Sequence, residues 1–332
     1  MLAAGTISTA AHSPLEGKLH TEPYRWSQVK ERGSLGGMRI TAWTYRKLGR
    51  HVCGALVHAI VAYFFLTDRK GRRASAAYLR RVYSTPDGRA TLGGPPGRWQ
   101  CFLHYREFAL SIVDRIGIWF GQAGDFKYEM IGEEHLDRVA EEGRGAILVG
   151  AHLGSFDALR LLAERKKSIV NVLMFTANAE RINAVFRELS PDMDARVIRV
   201  DPTSIDSVFE IRECLRRGEL VAILGDRIEP GDQNRALPVP LLGDPVNLPA
   251  APFLLAALLD CPVLMILALR EVSGRYSVFA EKLADRVCLP RHEREKGAAE
   301  LLAAYAARLE YYCQRYPFQW FNFFDYWEDE GR

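Results

Sequence analysis

From about residue 124 onward, short β-branched runs alternate with segments of helical periodicity, and this alternation constrains the fold more than any other feature. It indicates an α/β fold with a mostly parallel central sheet flanked by helices. The predicted strands are 126–131, 146–151, 169–175, 196–200, 220–224, 238–242, 262–269 and 276–280. The predicted helices are 133–142, 156–166, 179–189, 204–217, 249–260 and 295–315.

The formal net charge of +3 hides a segregation of charge along the chain. Between Tyr24 and Val82 there are thirteen Lys and Arg residues against Glu31 and Asp68, so this stretch carries +11 and the rest carries −8. We expect a disordered tail over 1–23, a basic helical membrane-associating segment over 24–90 and an α/β core over 91–332, with a hinge in the Gly/Pro-rich stretch 86–97. Anionic lipid is the partner that this basic segment favours, and no nucleic acid partner is expected.

Residues 51–66 (HVCGALVHAIVAYFFL) form an uncharged run inside the basic segment. The run is sixteen residues long, whereas a helix that spans a bilayer needs about twenty. A monotopic helix at the membrane interface, with Arg and Lys facing anionic headgroups, suits this length. A single N-terminal anchor and a buried core helix with solvated basic flanks are the alternatives.

The six cysteines are scattered, without C-x-x-C spacing or a nearby His cluster. Free thiols and no metal site are therefore expected. The chain also lacks the P-loop, G-x-G-x-x-G, G-x-S-x-G and H-E-x-x-H signatures, which disfavours the common nucleotide enzymes, serine hydrolases and zincins. No tightly bound cofactor is expected.

The segment AHLGSFD is the most informative motif, because His152 follows the buried strand 146–151 and Asp157 falls in the first turn of the next predicted helix. Ligands and catalytic groups gather beyond the carboxyl ends of strands in open α/β sheets. Asp157 could accept a hydrogen bond from one imidazole nitrogen and leave the other as a general base. His152 is the only one of the eight histidines with an Asp five residues later. We interpret it as a base that deprotonates an acceptor hydroxyl or amine, the alternative being a chance pairing.

This block resembles the H-x-x-x-x-D motif of the lysophospholipid acyltransferase superfamily, and its bacterial branch related to the late (lauroyl/myristoyl-type) acyltransferases of lipid A biosynthesis is most similar. The segments 26–50, 225–267 and 317–327 are similar to that branch's N-terminal anchor, second conserved region and closing aromatic motif. The F-P-E-G-T block of the glycerol-phosphate acyltransferases is missing, with LLGDPVNLPA in its place, so a simple lysophosphatidate acceptor is not indicated.

The resemblance implies that His152 is the base and Asp157 its orienting acid. Gly154 and Ser155 are substrate-binding candidates in the turn 153–156, whose backbone donors we expect to stabilise an oxyanion. After strand 220–224, Glu229 is a third catalytic candidate. Further substrate-binding candidates are Asp226, Arg227, Asn178 and Arg181. For Asp226, Arg227 and Glu229, the alternative is a solvated charge cluster at a strand end; Asn178 and Arg181 alternatively belong to a helix start and its surface.

The resemblance further implies transfer of a fatty acyl chain from acyl carrier protein or acyl-CoA to a lipid or glycolipid acceptor at the cytoplasmic face of the bacterial inner membrane. A catalytically silent lipid-binding or scaffold protein and a thioesterase are the alternatives. The segment 316–327 has eight aromatic residues in twelve. It is expected to wall an acyl groove, sit at the membrane interface, or close the core.

Overall fold

The computed structural model describes residues 35–119, 127–156, 168–175, 196–200, 206–229, 235–273, 275–287, 289–290 and 292–327. Its helices are α1 (Leu35–Thr67), α2 (Arg69–Ser84), α3 (Pro86–Leu92), α4 (Arg98–Trp119), α5 (Glu133–Glu141), α6 (Asp206–Arg216), α7 (Ala251–Leu259) and α8 (Arg294–Arg315). Its strands are β1 (Tyr128–Ile131), β2 (Ile147–Gly150), β3 (Val170–Phe175), β4 (Arg196–Val200), β5 (Leu220–Leu224), β6 (Ala236–Leu241), β7 (Asp244–Pro249), β8 (Val263–Arg270) and β9 (Tyr276–Ala284). The predicted helix 179–189, and all of 156–166 except Phe156, lie outside the described residues.

Seven strands form one sheet in the order β1-β9-β8-β2-β5-β3-β4. Five of the six pairings are parallel, and only β8 and β9 run antiparallel. The mostly parallel α/β sheet is therefore confirmed. Strands β2 and β5 are direct neighbours, so their carboxyl ends meet at one edge of the sheet.

Both faces of the sheet are covered, which explains why its central strands are apolar runs rather than alternating ones. Along β8, Met265 and Leu267 pack into a core cluster on one face, whereas Leu264 and Ile266 pack into a second cluster on the other. All four residues of β2 are buried. Strand β2 is therefore held on both faces by the core up to the point where it ends at the sheet edge.

The predicted strand 238–242 does exist, as β6, but it lies outside the large sheet. It pairs antiparallel with β7 in a two-stranded hairpin. Strand β7 was missed by the sequence analysis. Pro238 and Pro240 remove amide donors from β6, which suits a strand with only one partner.

The helices of the basic segment pack against the α/β core. Tyr78 and Leu79 of α2 belong to the same buried cluster as Val149 of β2. Part of the predicted hinge 86–97 is helical, because residues 86–92 form helix α3. Thr85 is the N-cap of this helix, and Gly93 ends it at φ 68°. The five described cysteines are buried thiols.

No single described helix is both long and apolar enough to cross a bilayer. The pair Val52–Thr67 and Arg69–Ser84 meets the length and composition criteria together, but it is bent by 94°.

Candidate active site

His152 and Asp226 meet at the carboxyl edge of the sheet. His152 follows β2 and Asp226 follows β5, and these parallel strands are in register with Gly150 opposite Leu224. His152 Nδ1 lies 2.8 Å from Asp226 Oδ1. The expected convergence of the two strand ends is therefore observed, although the two residues are 74 positions apart in the chain.

The carboxylate of Asp226 is enclosed by protein donors. Its Oδ2 accepts hydrogen bonds from the His152 backbone amide at 3.0 Å, Trp320 Nε1 at 3.0 Å and Asn322 Nδ2 at 3.2 Å. The Asp226 side chain is 0% exposed, whereas 27% of the His152 side chain is accessible. This differs from the expectation that Asp226 would contact substrate, because the Asp226 carboxylate is fully buried and holds the imidazole. The imidazole of His152 is the partly exposed group of the pair.

Burial and the nearby charges together keep the imidazole neutral and the carboxylate ionised. Burial and the nearby Arg227 lower the pKa of His152, against the opposing attraction of Asp226. Burial by itself raises the pKa of Asp226, but its attraction to His152, their hydrogen bonds and Arg227 lower it well below the ordinary range. An ionised Asp226 can only accept, so the proton lies on His152 Nδ1 and the lone pair lies on Nε2. This is the state that a general base requires.

The loop after His152 is fixed by two backbone partners. Gly154 N donates to Gln319 O at 2.9 Å, and Ser155 N donates to Ala268 O at 2.8 Å. Both amides are thus occupied, which differs from the expectation that they stabilise an oxyanion. The other side of the loop is held by Phe321 N, which donates to His152 O at 2.8 Å.

Arg227 is also anchored by the C-terminal segment. Its Nε donates to Asn322 Oδ1 at 2.7 Å, and its second terminal nitrogen donates to Phe321 O at 3.1 Å. Asn322 therefore bridges Arg227 and Asp226. Glu229 is half-buried on the same loop, and its negative charge favours the protonated form of Arg227, whose pKa is lowered by burial.

Sequence reasoning missed the contribution of Trp320 and Asn322, because it treated 316–327 only as an aromatic segment. Trp320 is 1% exposed, so core closure is the interpretation that holds for this residue. The available signal was the presence of Gln319 and Asn322 within an aromatic run, since buried amide side chains need polar partners.

Asp157, Asn178 and Arg181 lie outside the described residues, so the pairing of Asp157 with His152 and the two binding assignments stay predictions. Among the residues that the structure describes, no group of three or more His, Cys, Asp or Glu side chains could hold a metal ion.

Comparison with known proteins connects this site to a chemistry. No curated protein matches the chain. The family model of bacterial lipid A biosynthesis acyltransferases matches residues 104–328, which is more than half of the chain and includes His152, Asp226 and Asn322. The chain therefore belongs to the bacterial lipid A biosynthesis acyltransferase family, and it is an acyltransferase by that membership.

Proposed function

We propose that the protein transfers a fatty acyl chain from acyl carrier protein or acyl-CoA to a hydroxyl or amine of a lipid or glycolipid acceptor, with His152 as the general base. The observation that carries this proposal is the geometry of the imidazole. Its Nδ1 is held by a buried carboxylate, and its Nε2 bears a lone pair on a partly exposed side chain.

In the proposed reaction, Nε2 removes the proton from the acceptor O–H or N–H as the acceptor attacks the thioester carbonyl. The tetrahedral intermediate then collapses, the C–S bond breaks, and the leaving thiolate takes the proton back from Nε2. The imidazolium formed in between is stabilised by the adjacent carboxylate of Asp226. No metal or tightly bound cofactor has a role in these reaction steps.

The surrounding charges support an anionic substrate. Arg227 is half-buried beside the pair, and the exposed Arg115 of α4 also acts electrostatically on His152. Guanidinium groups suit phosphate and carboxylate recognition. We assign Arg227 to a donor or acceptor phosphate and Glu229 to orientation of the acceptor. Asp157 remains a second candidate for orienting His152.

The test is acyl transfer by purified protein from defined acyl carriers to a membrane lipid extract, read by mass spectrometry. His152→Ala is expected to abolish transfer, whereas His292→Ala should be as active as wild type because the side chain of His292 is 80% exposed and lies outside this site. Unimpaired transfer by His152→Ala contradicts the mechanism. A wild-type protein that binds lipid without acylating it indicates a silent binder, and release of free fatty acid indicates a thioesterase.

We further propose that the enzyme works on the cytoplasmic face of the inner membrane and docks on anionic lipid through α1 and α2. Large apolar side chains on α1 are exposed at helical spacing, at Val52, Leu56, Tyr63 and Leu66. The last two are 64% and 66% exposed. An apolar stripe of this kind suits insertion into the interfacial region of a bilayer.

Helix α2 adds exposed positive charge next to that stripe. Arg69, Lys70, Arg73 and Arg80 are exposed, and α2 contains no acidic residue. The sharp turn between the two helices is held by Asp68, which accepts from Gly71 N at 3.1 Å. The turn supports a monotopic arrangement, in which α1 enters the interface and α2 lies along the headgroups.

Flotation with vesicles tests this docking. Binding to phosphatidylglycerol-containing vesicles should exceed binding to phosphatidylcholine vesicles, and Tyr63→Ser with Leu66→Ser should reduce it. Leu258→Ser is the matched control, because Leu258 of α7 is 51% exposed but lies outside this segment. Equal binding by all three proteins, or no binding by the wild type, contradicts the membrane proposal.

A further inference from the structure

The carboxylate that orients His152 is itself held in place by a chain of buried groups that reaches into the N-terminal helices. Trp320 connects the Asp226 carboxylate to these helices. Its indole Nε1 donates to Asp226 Oδ2 at 3.0 Å, and its backbone carbonyl lies 2.9 Å from His104 Nε2.

The protonation of His104 follows from its partners. A carbonyl oxygen can only accept, so His104 Nε2 carries a proton and donates to Trp320 O. His104 Nδ1 then accepts from Ser75 Oγ, 3.0 Å away. His104 and Ser75 are both 0% exposed, so water does not compete for these bonds. Burial lowers the pKa of His104 to about 4, which keeps the ring neutral at physiological pH.

The geometry points to Trp320 and His104 as positioning residues of the acyl-transfer site, with Trp320 holding the Asp226 carboxylate against His152 and His104 holding Trp320. This inference rests on the proposed function of His152 as the base. Neither residue needs to contact substrate, since both act through Asp226.

A second set of contacts supports the assignment, because the segment around Trp320 pairs directly with the loop that carries His152. Leu153 and Trp320 form an isolated antiparallel bridge. A shift of Trp320 therefore moves the backbone of that loop as well as the indole donor.

The chain offers a matched pair of indoles for the test. Trp320→Phe removes the donor to Asp226 and retains an aromatic ring. Trp327→Phe makes the same change in the same segment, but the Nε1 of Trp327 donates to Leu241 O at 3.4 Å and does not contact Asp226. The rings of the two tryptophans are 5.8 Å apart, so general disturbance of this segment affects both variants.

We expect Trp320→Phe to lower kcat at least about tenfold with little change in KM, because a hydrogen bond to a charged group that orients the base is lost. Asp226 with fewer donors attracts the imidazolium more strongly. The acid limb of kcat/KM should therefore move to higher pH by about half a unit. The other charged groups that act on His152, Arg227 beside it and Arg115 of α4, are unchanged in this variant. Trp327→Phe should match wild type in both measurements.

His104 is tested by a conservative pair. His104→Leu removes the donor to Trp320 O and should lower kcat as Trp320→Phe does. His104→Gln offers an amide N–H in its place and should restore most of the activity. Thermal unfolding of all variants identifies any loss of activity that comes from unfolding.

Titration of His152 by NMR separates the two proposals, since it needs no turnover. A raised pKa in Trp320→Phe but not in Trp327→Phe supports the positioning role. An inactive wild type overturns the proposed function and leaves that titration to decide the positioning. Wild-type kcat with an unshifted acid limb in Trp320→Phe overturns the inference, as do equal losses in both tryptophan variants without a shift in the His152 pKa.

Discussion

Asp226→Asn is the substitution for which the structure predicts the most specific outcome. The two oxygens of the carboxylate are used unequally among the described residues, where Oδ2 accepts from three N–H groups and Oδ1 accepts only from His152 Nδ1. Asparagine has one oxygen and one NH2 group. The oxygen should occupy the position with three donors, because the reverse orientation would set the NH2 group against all three.

In that orientation the NH2 group points at His152 Nδ1, which must then accept. The imidazole proton moves to Nε2, so the nitrogen that we propose as the base can no longer accept a proton. A serine protease whose triad Asp is replaced by Asn has the same tautomer inversion, and the loss of kcat there is about 10⁴-fold. We expect a loss of about 10³- to 10⁴-fold here, with a drop of about 1–3 kcal/mol in the free energy of unfolding because three donors share a neutral oxygen.

The assay compares kcat for acyl transfer with the unfolding free energy from urea titration. Asp244→Asn is the control, because Asp244 pairs with Arg81 at 2.6 Å while half of its side chain is exposed (51%). It should leave kcat unchanged and cost less than about 1 kcal/mol. If folded Asp226→Asn keeps kcat within about threefold of wild type, the reasoning is refuted, and Asp157→Asn then tests the other carboxylate.

Two further predictions concern the loop and the buried histidine. Gly154→Ala should strongly lower both the free energy of unfolding and kcat, because φ is 78° and an added Cβ would lie 2.2 Å from Ala268 O. Gly243→Ala is the control, since Gly243 has a similar φ of 89° but no atom within 4 Å of the added Cβ. It should lower the free energy of unfolding by only about 1 kcal/mol and leave kcat unchanged. The unfolded chain binds a proton at His104 near pH 6.5, whereas the folded chain binds it only near pH 4, so the free energy of unfolding should fall by about 3 kcal/mol as the pH is lowered from 7 to 4. Urea titrations of wild type and His104→Gln at both pH values check this, and an equal fall in the two proteins contradicts it.

The parts of the site that follow from local pattern could be predicted from the sequence. The buried run that becomes β2 and the position of His152 at its end are encoded within a few residues. The proximity of residues 226–229 to His152 was expected because the carboxyl ends of parallel strands lie at the same edge of a sheet. The role of Asp226 did not, because it depends on β2 and β5 being direct neighbours in the sheet order, which no local pattern specifies.

Long-range pairing also explains the other differences. The bond from Trp320 to Asp226 connects residues 94 positions apart, and nothing in the aromatic run indicates which indole turns inward. Strand β6 was predicted despite its prolines, whereas β7 was missed because Pro245 and Pro249 disfavour a strand assignment, although an edge strand tolerates prolines.

The position of Trp320 and Asn322 along the chain has a consequence for biosynthesis. Both residues follow His152, Asp226 and Arg227 in the chain and lie within the last ten residues of the family match 104–328. A ribosome must therefore make almost all of this matched region before Asp226 has these two donors. A nascent chain that already contains His152 and Asp226 would have a buried carboxylate without two of its donors. Acquisition of activity should therefore coincide with docking of this last segment rather than with formation of the sheet.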